Sequence, residues 1–164
     1  MRAELSQLAD EVREERQLLF EKMQRQWDRP LPERVDSGRA LSRLVISDID
    51  HEKRLIHFSP PREDFAFFTE NQRLRLSQND PTGVFFRVNF LGLTDKGLSV
   101  YCPGCDDLAF TTKSGWVLDE ELIDVSDFYL RAITALGEQA HGREKVFPVL
   151  FGEADSEIVA ETYE

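Results

Sequence analysis

From Arg2 to Trp27 the chain has neither Gly nor Pro, and Leu5, Leu8, Val12, Leu19 and Met23 recur at intervals of three, four or seven. That spacing predicts one apolar stripe along a long helix. The other positions are largely Glu, Arg, Gln and Lys, with i,i+4 pairs such as Glu21–Arg25. So narrow a stripe leaves a lone helix marginal, and a partner helix is expected. The stretch from about Asp124 to Gln139 supplies one, with Val125, Phe128, Tyr129, Ala132, Ile133 and Leu136 on a matching face. Packed antiparallel, these two helices form a stalk that brings the two ends of the chain together.

Pro30 and Pro32 end the first helix, and Glu33–Ser37 has room for one further turn, closed by Gly38. From Leu41 to Leu118 the period changes to that of short strands. The first is expected over Leu44–Ile49 and the second over Arg54–Phe58, joined by the polar turn Asp50–Lys53. After the break at Pro60-Pro61, Arg73–Ser77 alternates polar with apolar, and Asn79–Gly83 reads as a turn. Val84–Leu91, rich in Phe and Val, is the strongest strand, and Asp95–Gly97 is a tight turn. Leu98–Cys102, Leu108–Thr112 and Trp116–Leu118 complete the set. Five to seven short strands at close spacing suggest a small antiparallel barrel rather than a sandwich. The expected fold is therefore α+β: a small antiparallel β-barrel, OB- or SH3-like, flanked by two antiparallel stalk helices. Its parts are an N-terminal stalk helix over 1–33, a barrel over 34–118, and a return helix with a linker over 119–164.

Composition narrows the class. A chain of 164 residues with 41% hydrophobic content and twelve Phe can bury a true core. No run approaches the roughly 18 apolar residues of a membrane span, so no membrane partner is expected. The N-terminus shows no signal peptide, and two cysteines without one point to an intracellular, cytoplasmic setting. The net charge of −11 is unevenly spread. Residues 34–118 are neutral, with eleven Lys/Arg and eleven Asp/Glu, whereas residues 119–164 carry three against twelve. Phosphate is repelled by the acidic quarter, so a nucleic-acid contact is expected on the middle segment.

Candidate chemistry is sparse. Cys102-Pro-Gly-Cys105 suits a turn between strands; a redox pair and half of a metal site are the alternatives. A zinc site needs four ligands, and His51, His57 and His141 are scattered without ligand spacing, so no metal and no cofactor is expected in this chain. Strand alternation places Arg73 and Arg75 on the face opposite Leu74 and Leu76. If Val84, Phe86, Val88 and Phe90 point inward, it places Phe85, Arg87 and Asn89 outward. Arg73, Arg75, Phe85 and Arg87 then make a stacking and charge platform of the kind that holds single strands. The plainer reading is that these arginines solvate the barrel while Phe85 packs under a loop. Phe65, Phe67 and Phe68 are expected to be core or loop anchors, with an exposed contact surface as the alternative. There is no phosphate-binding loop, no Gly-x-Ser-x-Gly elbow and no visible triad, so catalysis is not expected.

The order of these elements carries a resemblance. Phe128–Leu136, with Ala-Ile-x-Ala-Leu at Ala132–Leu136, and the Val-Leu-Phe-Gly run at Val149–Gly152 resemble the segment that returns from an accessory barrel into the motor of superfamily 1 helicases. The branch concerned includes the nonsense-mediated-decay helicase and the immunoglobulin mu-binding helicase. Pro32–Leu41 is similar to the stretch that leads into their barrel, although Asn71-Gln72 stand where those proteins often have Gly-Asp. The resemblance implies a non-catalytic region that grips single-stranded DNA or RNA weakly. ATP and magnesium would belong to motor domains of the same parent protein, outside this chain. The alternative is a stand-alone interaction module whose acidic helical arms dock a basic partner.

Overall fold

The computed structural model describes residues 3–59, 68–107 and 114–150. Among them the fold is α+β: one seven-stranded antiparallel sheet with helices. The helices are α1 (Ala3–Trp27), α2 (Leu31–Asp36), α3 (Ser126–Glu138) and α4 (Phe147–Leu150). The strands are β1 (Ala40–Leu44), β2 (Ile46–Asp50), β3 (Leu55–Phe58), β4 (Arg73–Ser77), β5 (Phe85–Thr94), β6 (Gly97–Tyr101) and β7 (Trp116–Glu120). Of the expected features, Phe65, Phe67, the strand at Leu108–Thr112, and Phe151 and Gly152 lie outside the described residues. No helix among the described residues is long and apolar enough to cross a membrane.

The chain forms two compact units, one from residues 1–19 with 124–164 and the other from residues 20–123. α1 contributes to both. In the larger unit the strand order is β1-β7-β4-β5-β6-β3-β2. β1 and β2 are thus the two edges of the sheet, yet Val45 alone joins them in sequence. One apolar cluster draws on every strand, from Leu44 and Ile46 through Ile56, Leu74, Val88 and Leu98 to Leu118. Phe68 packs edge-on against Phe90 at 5.8 Å, which makes it a core anchor.

The single strand expected over Leu44–Ile49 is in fact two, and β1 begins earlier. Arg43 takes a left-handed φ of 58° where the β1–β7 register shifts between Leu41 and Leu44. This bulge lets two leucines three positions apart enter the same core, a pattern that strict alternation does not anticipate. β5 starts at Phe85, and Val84 is 82% exposed rather than inward. Gly92, at φ 90°, occupies a second bulge where β5 shifts register against β6.

In the smaller unit Leu5 and Ala9 of α1 bury against Ile133 of α3, flanked by Val12 and Leu130. Further along α1, Arg16 pairs with Asp124 at 2.9 Å and with Asp127 at 3.1 Å. Advancing along α1 therefore means retreating along α3, and the two run antiparallel. The packing face of α3 differs from the expected one. Phe128 and Tyr129 are 68% and 52% exposed and stack edge-on with each other, and Val125 is also exposed. Of the expected face Ile133 does turn inward, and the buried Ser126 and the partly buried Leu130 join it. Past α3 the chain makes one wide turn over Gly142–Val146. A Cβ on Gly142 would stand 2.7 Å from the Leu136 carbonyl oxygen, so the chain passes there only as glycine.

Candidate functional site

The β4–β5 register opposes Arg73 to Asn89, Arg75 to Arg87 and Ser77 to Phe85. Alternation therefore sets all four expected site residues on one face of the sheet, away from Leu74 and Leu76. That face is partly covered. Arg73 is exposed and makes no ion pair among the described residues, and Arg87 is exposed with its side chain 71% accessible. Phe85 is half-buried, and Arg75 is buried.

Arg75 is buried because aromatic groups sandwich its guanidinium, 3.6 Å from the Trp27 ring and 4.0 Å from the Phe85 ring. A planar, weakly hydrated cation tolerates such a slot where an ammonium would not. Its edge donors are used as well. Nε and Nη2 donate to Glu121 Oε1 at 3.0 and 2.9 Å, and Nη1 donates to the Pro81 carbonyl at 2.6 Å. The other Glu121 oxygen accepts from Arg87 Nε at 3.1 Å. Trp27 is fixed in turn by its indole N–H, which donates to the Glu120 carbonyl at 3.0 Å. The expected platform is thus largely consumed in holding α1 to the sheet. Only Arg73, Arg87 and one side of Phe85 remain for a ligand.

A second buried pair lies on the same face. Arg34 of α2 donates to Asp119 Oδ1 and, through Nη2, to Asn79 Oδ1 at 2.9 Å. Burial raises the Asp119 pKa, and the Arg34 charge pulls it partly back. Arg34 Nε, Asp119 Oδ2 and Ser77 Oγ are buried there without partners. Sequence reading missed Trp27, Arg34, Asp119 and Glu121. A Trp closing a helix and two charges ending the apolar run of β7 were the available signals.

The larger unit also carries a cationic groove of about 490 Å³, where the last turns of α1 face the link from α2 to β1. Lys22, Arg25, Arg29 and Arg39 line it with Met23, Gln26 and Ser37. Arg25 is bridged to Glu21 at 3.4 Å and Arg39 is paired with Glu120, whereas Lys22 and Arg29 make no ion pair among the described residues. The Gln26 amide nitrogen is buried there without a partner. These cations lie at the end of the first helix and in the link to β1 rather than on the strands.

At another corner, Cys102 and Cys105 are both buried and free, and Cys105 N donates to the Cys102 carbonyl at 3.2 Å. Burial pushes the Cys102 thiol up to about 11 against the pull of the Gly104 amide, and burial also raises Cys105. Neither is a ready thiolate by itself, which argues against a redox nucleophile. His57 Nδ1 and Ser99 Oγ, opposed across β3 and β6, lie 2.7 Å apart. Both are buried in the sheet, so the pair ties strands together rather than meeting a substrate. No protein family and no curated protein matches this chain.

Proposed function

We propose that this chain is the accessory, nucleic-acid-gripping region of an ATP-dependent superfamily 1 helicase, and that the sheet is a small closed barrel of the OB or SH3 kind. Two features support the barrel: the edge strands joined through Val45 and the single core drawn from all seven strands. The order of long helix, sheet and return helix is the one the helicase resemblance rests on. The observation that carries the nucleic-acid reading is the groove lined by Lys22, Arg25, Arg29 and Arg39. It offers several cations along one concave strip, as a phosphate backbone requires. Chemistry belongs to motor domains outside this chain, and the exposed Phe128, Tyr129 and Leu150 are apolar surface for those domains to cover.

The test is fluorescence anisotropy of a labelled single-stranded oligonucleotide at low ionic strength. The expected result is weak binding that falls with salt. Lys22→Glu with Arg29→Glu should weaken it more than about tenfold, or about 1.4 kcal/mol. Both residues are exposed, so the fold should survive. No binding by the parent chain at low salt, or equal binding by the reversal variant, rejects the reading.

A second reading keeps one observation of its own, the three Lys/Arg against twelve Asp/Glu over residues 119–164. On it the chain is an interaction module whose acidic helices dock a basic protein. Failure with oligonucleotides together with saturable binding to a basic polypeptide would favour it.

A further inference from the structure

We propose that His51, Cys105 and Asp106 bind a divalent, borderline-soft metal ion of the zinc type. The spacing of the sequence hides this site and the sheet assembles it. β3 lies beside β6 with Leu55 opposite Tyr101, so the turn between β2 and β3 abuts the chain leaving β6. His51 comes from the first segment, and Cys105 and Asp106 from the second. One ligand atom from each of His51, Cys105 and Asp106 lies within 4.8 Å of the others. His51 Nδ1 is 3.4 Å from Asp106 Oδ1, and Cys105 Sγ is 3.9 Å from the same oxygen. Bonds of about 2.0–2.3 Å set at tetrahedral angles place donors roughly 3.3–3.8 Å apart. The donors therefore stand near the separations an ion would impose.

The turn holds two of the donors together: Cys102 and Cys105 flank Pro103-Gly104, and the Cys105 amide donates to the Cys102 carbonyl at 3.2 Å, which presents Cys105 and Asp106 side by side. A thiolate, an imidazole and a carboxylate suit zinc and exclude magnesium and calcium, which take oxygen ligands. Three protein donors leave one tetrahedral position for water. The ion fastens the β2–β3 turn to the end of β6 and stabilises the fold by the free energy of binding.

The test uses the reduced full chain, stripped with a chelator and titrated with cobalt(II). One equivalent should bind with tetrahedral visible absorption and a sulfur-to-cobalt charge-transfer band, and zinc should displace it. His51→Ala and Asp106→Asn, at exposed positions that leave the core intact, should each weaken cobalt binding by more than about tenfold. Cys105→Ser should abolish the charge-transfer band, because it removes the one sulfur donor of the cluster. Zinc should raise the melting temperature of the parent chain and not that of His51→Ala. An octahedral cobalt spectrum without a charge-transfer band, or equal affinity in His51→Ala and the parent, overturns the site.

Discussion

Arg75 and Glu121 are joined twice over, with Nε and Nη2 of the arginine donating to one carboxylate oxygen at 3.0 and 2.9 Å. Both side chains are nearly closed to solvent, at 11% and 3% exposure. The second glutamate oxygen and its neighbourhood are also occupied, by Arg87 and by the Leu122 amide, which donates to Oε1 at 2.9 Å. One acidic residue just past β7 therefore sets the position of two cations that alternation alone would leave facing water.

Removing that carboxylate strands a buried cation. Glu121→Ala should destabilise the fold by about 3–5 kcal/mol, the usual result of breaking one side of a buried pair. Arg87→Ala should cost less than about 1 kcal/mol, because the Arg87 side chain is exposed and its pairing is screened. Urea denaturation of the two variants checks the contrast. Near-equal losses would mean that Glu121 does not anchor the cluster.

Trp27 performs two tasks that substitution can separate. It stacks on Arg75 at 3.6 Å and donates its indole N–H to the Glu120 carbonyl. Trp27→Phe keeps a ring over the guanidinium and loses the hydrogen bond, for an expected cost of about 1–2 kcal/mol. Trp27→Ala loses both and opens a cavity, for about 3–5 kcal/mol. Thermal melts followed by circular dichroism check the order. An alanine variant no worse than the phenylalanine variant would remove stacking from the account.

The same cluster shows what local pattern can and cannot reveal. Period-two alternation correctly set Arg73, Arg75, Phe85 and Arg87 on one face, since β4 and β5 pair without a bulge there. It could not show that Trp27 and Glu121 would arrive over that face from distant parts of the chain. The helix face was legible only in part. Phe128 and Tyr129 fit the apolar spacing of α3, but the side that buries against α1 centres on Ile133 and Leu130. The bulge at Arg43 hid β1, because the run from Leu41 to Ile46 breaks alternation. The cationic groove was invisible because Lys22 and Arg25 sit on a helix read only for its apolar stripe, while Arg29 and Arg39 come from the links after α1 and α2. His51 and Cys105 were set apart by sequence distance, which the β3–β6 pairing removes.

Asp119 and Asp80 should tilt the acid dependence of stability in opposite directions. Burial raises the Asp119 pKa above its ordinary 3.8, with Arg34 opposing. The native state then holds the proton more tightly than the unfolded state. Its contribution is full below the unfolded value and is lost as pH rises through the raised native value. Asp80 is lowered from 3.8, first by the Thr82 hydroxyl and then by the Gly83 amide. Its contribution is present above the unfolded value and is lost as pH falls through the depressed one. Denaturation between about pH 3 and pH 7 of the parent, Asp119→Asn and Asp80→Asn reads both. The parent's stability relative to Asp119→Asn should shrink as pH rises, and relative to Asp80→Asn as pH falls. Trends of the same sign would contradict the two assignments.

The groove lined by Lys22, Arg25, Arg29 and Arg39 makes a quantitative claim about salt. On single strands the logarithm of the binding constant falls with the logarithm of salt concentration by about 0.7 per phosphate neutralised. Lys22 and Arg29 have no ion pair among the described residues, while Arg25 and Arg39 already hold Glu21 and Glu120. Two to four phosphates are then engaged, for a slope of about −1.4 to −2.8. Lys22→Ala with Arg29→Ala should flatten the slope by about 1.4, because those two cations displace counterions without first giving up a carboxylate. Arg73→Ala should flatten it by at most about 0.7, since that residue lies on the sheet face and not in the groove. Titrations at four or more salt concentrations separate the cases. A flat slope in the parent chain would remove phosphate from the groove, and a slope changed only by Arg73→Ala would move the contact back to the strands.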